Sequence, residues 1–237
     1  MNNNNLIFTN DQELNSLSYK NALIYDKRTY LQYYKSLIRK NHLIIFAFFP
    51  NNDYNLLSMK LLLFLLSLSL YFTMNGIFFF DDAMHRIFME NGSYNILYQI
   101  PKLFYSIILC SFLNTILKLL SLCEYDILRL KHEIKLKESF MKTKSIKSCI
   151  MIKFIVFFSL STILLLFCWY FISCFCGVYI NTQIILLKDI LISFGFSMIY
   201  PFGLNLIPGI FRIYALRAQK QDKKFFYALS SLLAILF

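Results

Sequence analysis

The sequence predicts an all-α integral membrane protein, a helical bundle of about four transmembrane helices with basic amphipathic helices at the membrane surface. Three observations lead there. Hydrophobic residues make up 58% of the 237 positions and charged residues only 16%, against about 25% charged in a soluble domain. Long stretches are almost free of charge, and six glycines and four prolines are too few for a turn-rich β architecture. Lysine and arginine gather in alternate segments between those stretches, as the positive-inside rule requires.

The first 60 residues begin as an Asn-rich stretch of low complexity, a composition that favours disorder. They become basic and aromatic at "TYLQYYKSLIRKNHLIIFAFFP". Leu31, Tyr34, Leu37 and Ile38 fall on one helical face with Lys35, Arg39 and Lys40 nearby, the pattern of an interfacial helix, with a small soluble core element as the alternative. Leu43 to Phe49 is too short to cross a bilayer. The opening 20 residues have neither the basic start nor the apolar run of a cleavable signal peptide, so the first span is expected to serve as signal anchor.

A crossing needs roughly 20 apolar residues at 1.5 Å each to traverse about 30 Å of hydrocarbon. Leu61 to Phe80, Phe104 to Leu122, Phe154 to Ile180 and about Ile190 to Ile210 meet that need, which places a four-span domain over 61–210. The third is long enough to require tilt or to enter the headgroups. The fourth is interrupted by Pro201, Gly203, Pro208 and Gly209. Residues 211–237 form a basic tail ending in the apolar run "FFYALSSLLAILF", which cannot span and is expected at the interface or on the bundle.

The net charge of +11 raises nucleic acid as a partner, and its distribution removes it. The segment before Leu61 holds seven basic residues against four acidic, Glu124 to Lys153 eight against four, and the stretch after Ile210 five against one. Asp81 to Lys102 holds two against three, and Asn181 to Asp189 one of each. Four spans with both termini cytoplasmic reproduce this alternation. The basic groups then lie beside membrane ends, where anionic lipid of the inner leaflet attracts each by about 1 kcal/mol.

The cysteine-rich stretch "CWYFISCFCGVYINTQ" reads as a helix end rather than a metal centre. At 100° per residue Cys174 lies about 240°, and Cys176 about 80°, around the helix from Cys168. One helix cannot aim all three thiols at one ion, and the spacing lacks the CxxC pair that zinc sites use. The thiols are expected to pack between helices, with Tyr179, Asn181, Thr182 and Gln183 at the outer boundary. His132 and Glu133 begin an HExxH pattern, but Leu136 stands at the second histidine position.

Polar residues within spans are the better functional lead. Asn114 and Lys118 share a face of the second span, and Lys118 is close enough to its cytoplasmic end to snorkel. Asn75 and Asn205 are placed to hydrogen-bond across helices. Ser193, Gly195 and Ser197 precede Pro201, and a broken helix frees backbone carbonyls of the kind transporters use to hold ions. Lys188 and Asp189 are expected as a solvated boundary pair. Asp81, Asp82, His85 and Glu90 collect acidic and imidazole groups in a wet outer loop. The Glu124 to Lys153 loop is expected to continue the second span and then become a Lys/Ser/Thr linker around Lys142 to Ser148. Asn91-Gly92-Ser93 is a glycosylation acceptor on the side assigned to the exterior.

No potassium filter, arginine ladder, phosphate-binding glycine loop or nucleophile elbow is present in the sequence, so no catalytic residue, metal or cofactor is implied. "YYKSLIRKNHLIIFAFFPNNDYNL", "CWYFISCFCGVYINTQIILLKD" and "ISFGFSMIYPFGLNLIPGIFRI" together resemble a C-terminal membrane module of multi-pass proteins of unicellular eukaryotes, over about Tyr30 to Ala228. The resemblance implies several transmembrane helices and brings no activity, cofactor or catalytic residue with it. The expected function is a non-catalytic membrane anchor or assembly module, homo-oligomeric or paired with another membrane protein. The alternative is an ion channel or small-solute transporter whose path is lined by Asn114, Lys118, Pro201, Gly203 and Asn205.

Overall fold

The computed structural model describes residues 10–50, 53–89, 96–122, 127, 140–217 and 223–236. Every regular element among them is helical, so the fold is an all-α bundle. Four short helices come first: α1 (Asp11–Asn15), α2 (Tyr19–Tyr25), α3 (Tyr30–Asn41) and α4 (Leu43–Phe48). They are followed by α5 (Leu57–Ile77), α6 (Asp81–Met89), α7 (Ile96–Ser121) and α8 (Phe140–Val178). After a 3₁₀ turn at Ile180–Thr182 come α9 (Gln183–Leu204), α10 (Leu206–Arg217) and α11 (Lys224–Leu236). Four stretches, Leu57–Ile77, Leu97–Ser121, Lys144–Val178 and Ile180–Arg217, are helices long and apolar enough to cross a membrane.

Local signals set several boundaries. Thr29 and Gln32 form a reciprocal cap that opens α3, the Thr29 hydroxyl accepting from the Gln32 N–H and the Gln32 side chain from the Thr29 N–H. Two orphan donors of the first turn are thereby satisfied. Asp81 and Asp82 sit in the first turn of α6, where the helix dipole favours negative charge, and the expected outer loop is a helix here. Lys142 to Ser148 are also helical rather than a linker. With neither Gly nor Pro in that stretch, helix propagates from the apolar span at the gain of one hydrogen bond per residue.

The chain divides into two compact units. One takes in Met1–Asn55, Cys123–Ser139 and Tyr200–Phe237; the other takes in Leu56–Leu122 and Phe140–Ile199. In the first, α10 and α11 pack against each other, α3 lies against α10 and α4, and α2 touches α11. Tyr19, Ala22, Ala215 and Tyr227 form its core. The buried face of α3 consists of Tyr33, Ser36, Leu37 and Ile38, while Leu31 is exposed. Leu37 and Ile38 are buried inside the protein, as a core element would have them and an interfacial helix would not. Gly209 permits this packing, because a Cβ there would lie 2.7 Å from the Tyr30 ring.

In the second unit α5 packs on both α7 and α8. Half of the apolar window of α5 is buried, against 11% for that of α8, so α5 is the inner helix and α8 an outer one. Leu63, Leu66, Leu70 and Tyr71 supply the buried side of α5. Gly76 lets the Phe171 ring of α8 approach to 3.1 Å of where a Cβ would stand. Ile163, Leu166, Phe167 and Tyr170 of α8 are exposed apolar side chains.

Candidate functional site

The expected path residues separate between the two units. Asn114, on α7, donates a 2.8 Å hydrogen bond from Nδ2 to Ser67 Oγ on α5. Lys118 is half-buried, one turn before the end of α7. In the other unit Pro201 is buried inside the last turn of α9, Gly203 is exposed, and Asn205 is fully buried at the α9–α10 break. The break therefore falls one turn beyond the proline. Asn205 Nδ2 donates to the Pro201 carbonyl at 2.7 Å, on which the Asn205 backbone N–H also converges, a side-chain competition with the helix ladder that favours a turn.

Carbonyls around this break are filled from within the same unit. Tyr34 donates its hydroxyl to the Phe202 carbonyl at 2.9 Å, Tyr30 to that of Leu206 at 3.2 Å, and Ser230 to that of Pro208 at 2.9 Å. Asn41 Nδ2 donates to Asn205 Oδ1 at 2.7 Å. Each of these carbonyls has a hydroxyl donor from the protein itself. What the break does here is receive the N-terminal helix α3.

Below the break the same unit holds a buried charge centre. Asp26 ends α2, and its carboxylate accepts Arg28 Nε and Nη2 at 2.8 and 2.9 Å and Arg212 Nε and Nη2 at 3.0 and 2.8 Å. Arg212, 1% exposed, stands between the Tyr33 and Tyr227 rings at 4.7 and 4.8 Å and also donates to the Leu14 carbonyl. Burial opposes ionisation of Asp26, but the hydrogen bonds and positive charges of Arg28 and Arg212 outweigh it and hold the carboxyl below its usual range. Burial likewise pushes the Tyr227 hydroxyl up, against the pull of Arg212. The Tyr227 hydroxyl donates to the Leu17 carbonyl at 2.7 Å, and its ring faces the guanidinium. Arg212, one of the five basic residues after Ile210, is paired with Asp26 inside the fold.

The second unit carries its own ion pair. Lys102 on α7 and Asp189 on α9 form a buried salt bridge, with the ammonium 3.5 Å from the centre of the Phe79 ring. This corrects the reading of Asp189 as a solvated boundary charge, since it is 0% exposed. Lys102 opens a polar stripe along α7, continued at four-residue spacing by Ser106, Cys110 and Asn114, the first three buried. Asn75 on α5 donates to Ser193 Oγ on α9 at 2.8 Å. Interhelical polar pairs thus tie α5 to α7, α5 to α9 and α7 to α9, the usual use of polar groups between apolar helices.

Cys168 is buried, Cys176 half-buried and Cys174 exposed, so the three thiols do face different surroundings. Among the described residues no three metal-ligating side chains come together. Asn91, Glu90 and the His132–Glu133 pair lie outside the described residues. Both ion pairs escaped the sequence reading, although each left a trace. Arg212 is the lone charge in "LIPGIFRIYAL", and Lys102 and Asp189 are opposite charges embedded in apolar runs. Compared with known protein families, with characterised proteins and with solved structures, the chain finds no match.

Proposed function

We propose that this is a multi-pass integral membrane protein with a non-catalytic role, an anchor or assembly module that pairs with a second copy or with another membrane protein. Its termini lie on the cytoplasmic side against an anionic inner leaflet. The observation that carries this reading is the occupation of the polar groups a permeation path would need. Asn205 holds Asn41 and the Pro201 carbonyl, Tyr34 and Tyr30 hold the carbonyls of the break, and Asn114 holds Ser67. Polar groups spent on one another stitch helices together. The pairing of Arg212 with Asp26 removes one charge of each sign and leaves both terminal segments basic, which retains the electrostatic attraction to the inner leaflet.

One observation favours the second reading, a channel or small-solute transporter. A buried ion pair between two span-length helices, Lys102 with Asp189, is the kind of group that marks ion and proton pathways. Ion flux into proteoliposomes made with the full chain separates the two. Flux at the level of empty vesicles is expected. Flux above that level, abolished by Asn205→Leu, would overturn the anchor reading and make the broken helix a pathway.

A further inference from the structure

A cavity of about 310 Å³ opens beside Lys102. Its wall carries the cations Arg86 and Lys102, the carboxylate of Asp82, and the aromatic rings of Phe80, Tyr98 and Tyr105. Lys102 is held at the back by Asp189, while Arg86 lies exposed with its guanidinium 4.6 Å from the Tyr98 ring. With Asp189 included, cations and carboxylates on and behind this wall balance. A wall of both signs with no net charge suits a ligand that also carries both signs. The cations match a phosphate. The carboxylate and the electron-rich ring faces match a quaternary ammonium, the ligand that aromatic cages recognise.

The setting identifies what bears those groups. Tyr98 and Tyr105 are exposed on the first turns of the span-length helix α7, and Phe80 is exposed at the start of α6. Exposed tyrosines at the end of an apolar helix are where headgroups lie. From Tyr105 the same helix face continues through Ile108 and Phe112, both exposed and spaced so as to stack one turn above another. An acyl chain leaving the cavity has an apolar ridge to follow. We propose that this cavity binds the headgroup of a zwitterionic choline phospholipid, phosphate toward Arg86 and Lys102 and trimethylammonium among Tyr98, Tyr105, Phe80 and Asp82. The proposal uses the membrane placement given above and is independent of the choice between anchor and transporter.

Native mass spectrometry of the full chain in mild detergent tests it, with phosphatidylcholine, phosphatidylglycerol of the same chains, and water-soluble glycerophosphocholine as probes. One phosphatidylcholine is expected to be retained per chain. Arg86→Ala is expected to weaken it about tenfold through the lost charge-assisted contact. Tyr98→Ala is expected to weaken it about fivefold while leaving phosphatidylglycerol unchanged. Both substituted residues are exposed, and unfolding midpoints equal to the parent's would show that the fold is kept. Equal retention by parent and both variants, or phosphatidylglycerol held as well as phosphatidylcholine, would overturn the site. Glycerophosphocholine held as tightly as the lipid would overturn the lipid as its source. A chain that stays dispersed without detergent would instead overturn the membrane placement itself.

Discussion

In the unit that holds the N-terminal helices, Asp26 receives four hydrogen bonds from two guanidiniums, and Arg212 is clasped by two tyrosine rings and the Leu14 carbonyl. In the unit that holds α5 and α8, a single ammonium meets the Asp189 carboxylate beneath one phenylalanine ring. Both pairs are buried, and they are built for different tasks. Arginine presents a planar fork that can serve several acceptors at once, so one residue on α10 reaches the end of α2 and the last turn of α1 together. Lysine is a point charge, able to join two helices and little else. The first centre ties three short helices, α1, α2 and α10, to one point. The second joins α7 to α9, two long helices that otherwise touch each other little.

The comparison breaks most readily at its stronger end. Asp26→Asn leaves the buried Arg212 guanidinium without its counter-charge, while Arg28 keeps Asp11 at 3.3 Å, and is expected to cost about 4 kcal/mol, read as a large fall in the thermal unfolding midpoint in mild detergent. The same carboxylate gives a pH test. Its folded value lies below the ordinary 3.8, so its stabilisation is complete above that value and is lost as pH falls toward the lower folded one. The midpoint should hold from neutrality to about pH 5 and fall below about pH 4, with a shallower acid fall in Asp26→Asn.

Asp189→Asn should cost about 3 kcal/mol by stranding the Lys102 ammonium, and Lys102→Met with Asp189→Leu should restore stability to within about 1 kcal/mol of the parent. Failure of the double variant to recover would show that this pair does more than join two helices. Gly209→Ala, which sets a Cβ 2.7 Å from Tyr30, is expected to cost about 2 kcal/mol through displacement of that ring. A cost under about 0.5 kcal/mol would mean that Tyr30 moves freely and that α3 is held mainly by the charge centre. Smallest of all, Arg39→Ala removes a pair with Asp11 at 3.9 Å in which Arg39 is 60% exposed. A change below about 0.5 kcal/mol is expected, easily lost in salt. Its contrast with Asp26→Asn measures what burial adds.

Helical class and the presence of four helices long and apolar enough to cross a membrane were legible because they depend on composition and run length, and a 20-residue apolar run has few alternatives. Boundaries were less so: helix extends through Lys142 to Ser148 and past Pro201, since propagation from a stable span outlasts weak local signals. Asn75 and Asn205 were rightly expected to reach across helices, because a lone amide in an apolar run must find a partner. Who that partner would be was not legible; Ser193 and Asn41 stand 118 and 164 positions away.

The sequence by itself determined an all-α chain with four helices long and apolar enough to cross a membrane, and an alternation of basic and uncharged segments between them. These are sums over neighbours along the chain. Only the tertiary structure decided that Leu37 and Ile38 face protein, that Arg212 leaves the basic tail to neutralise Asp26, and that Asp189 leaves the boundary to meet Lys102. A charge is solvated or paired according to what lies within a few ångströms of it. Along this chain that neighbour comes from helices 87 and 186 residues apart.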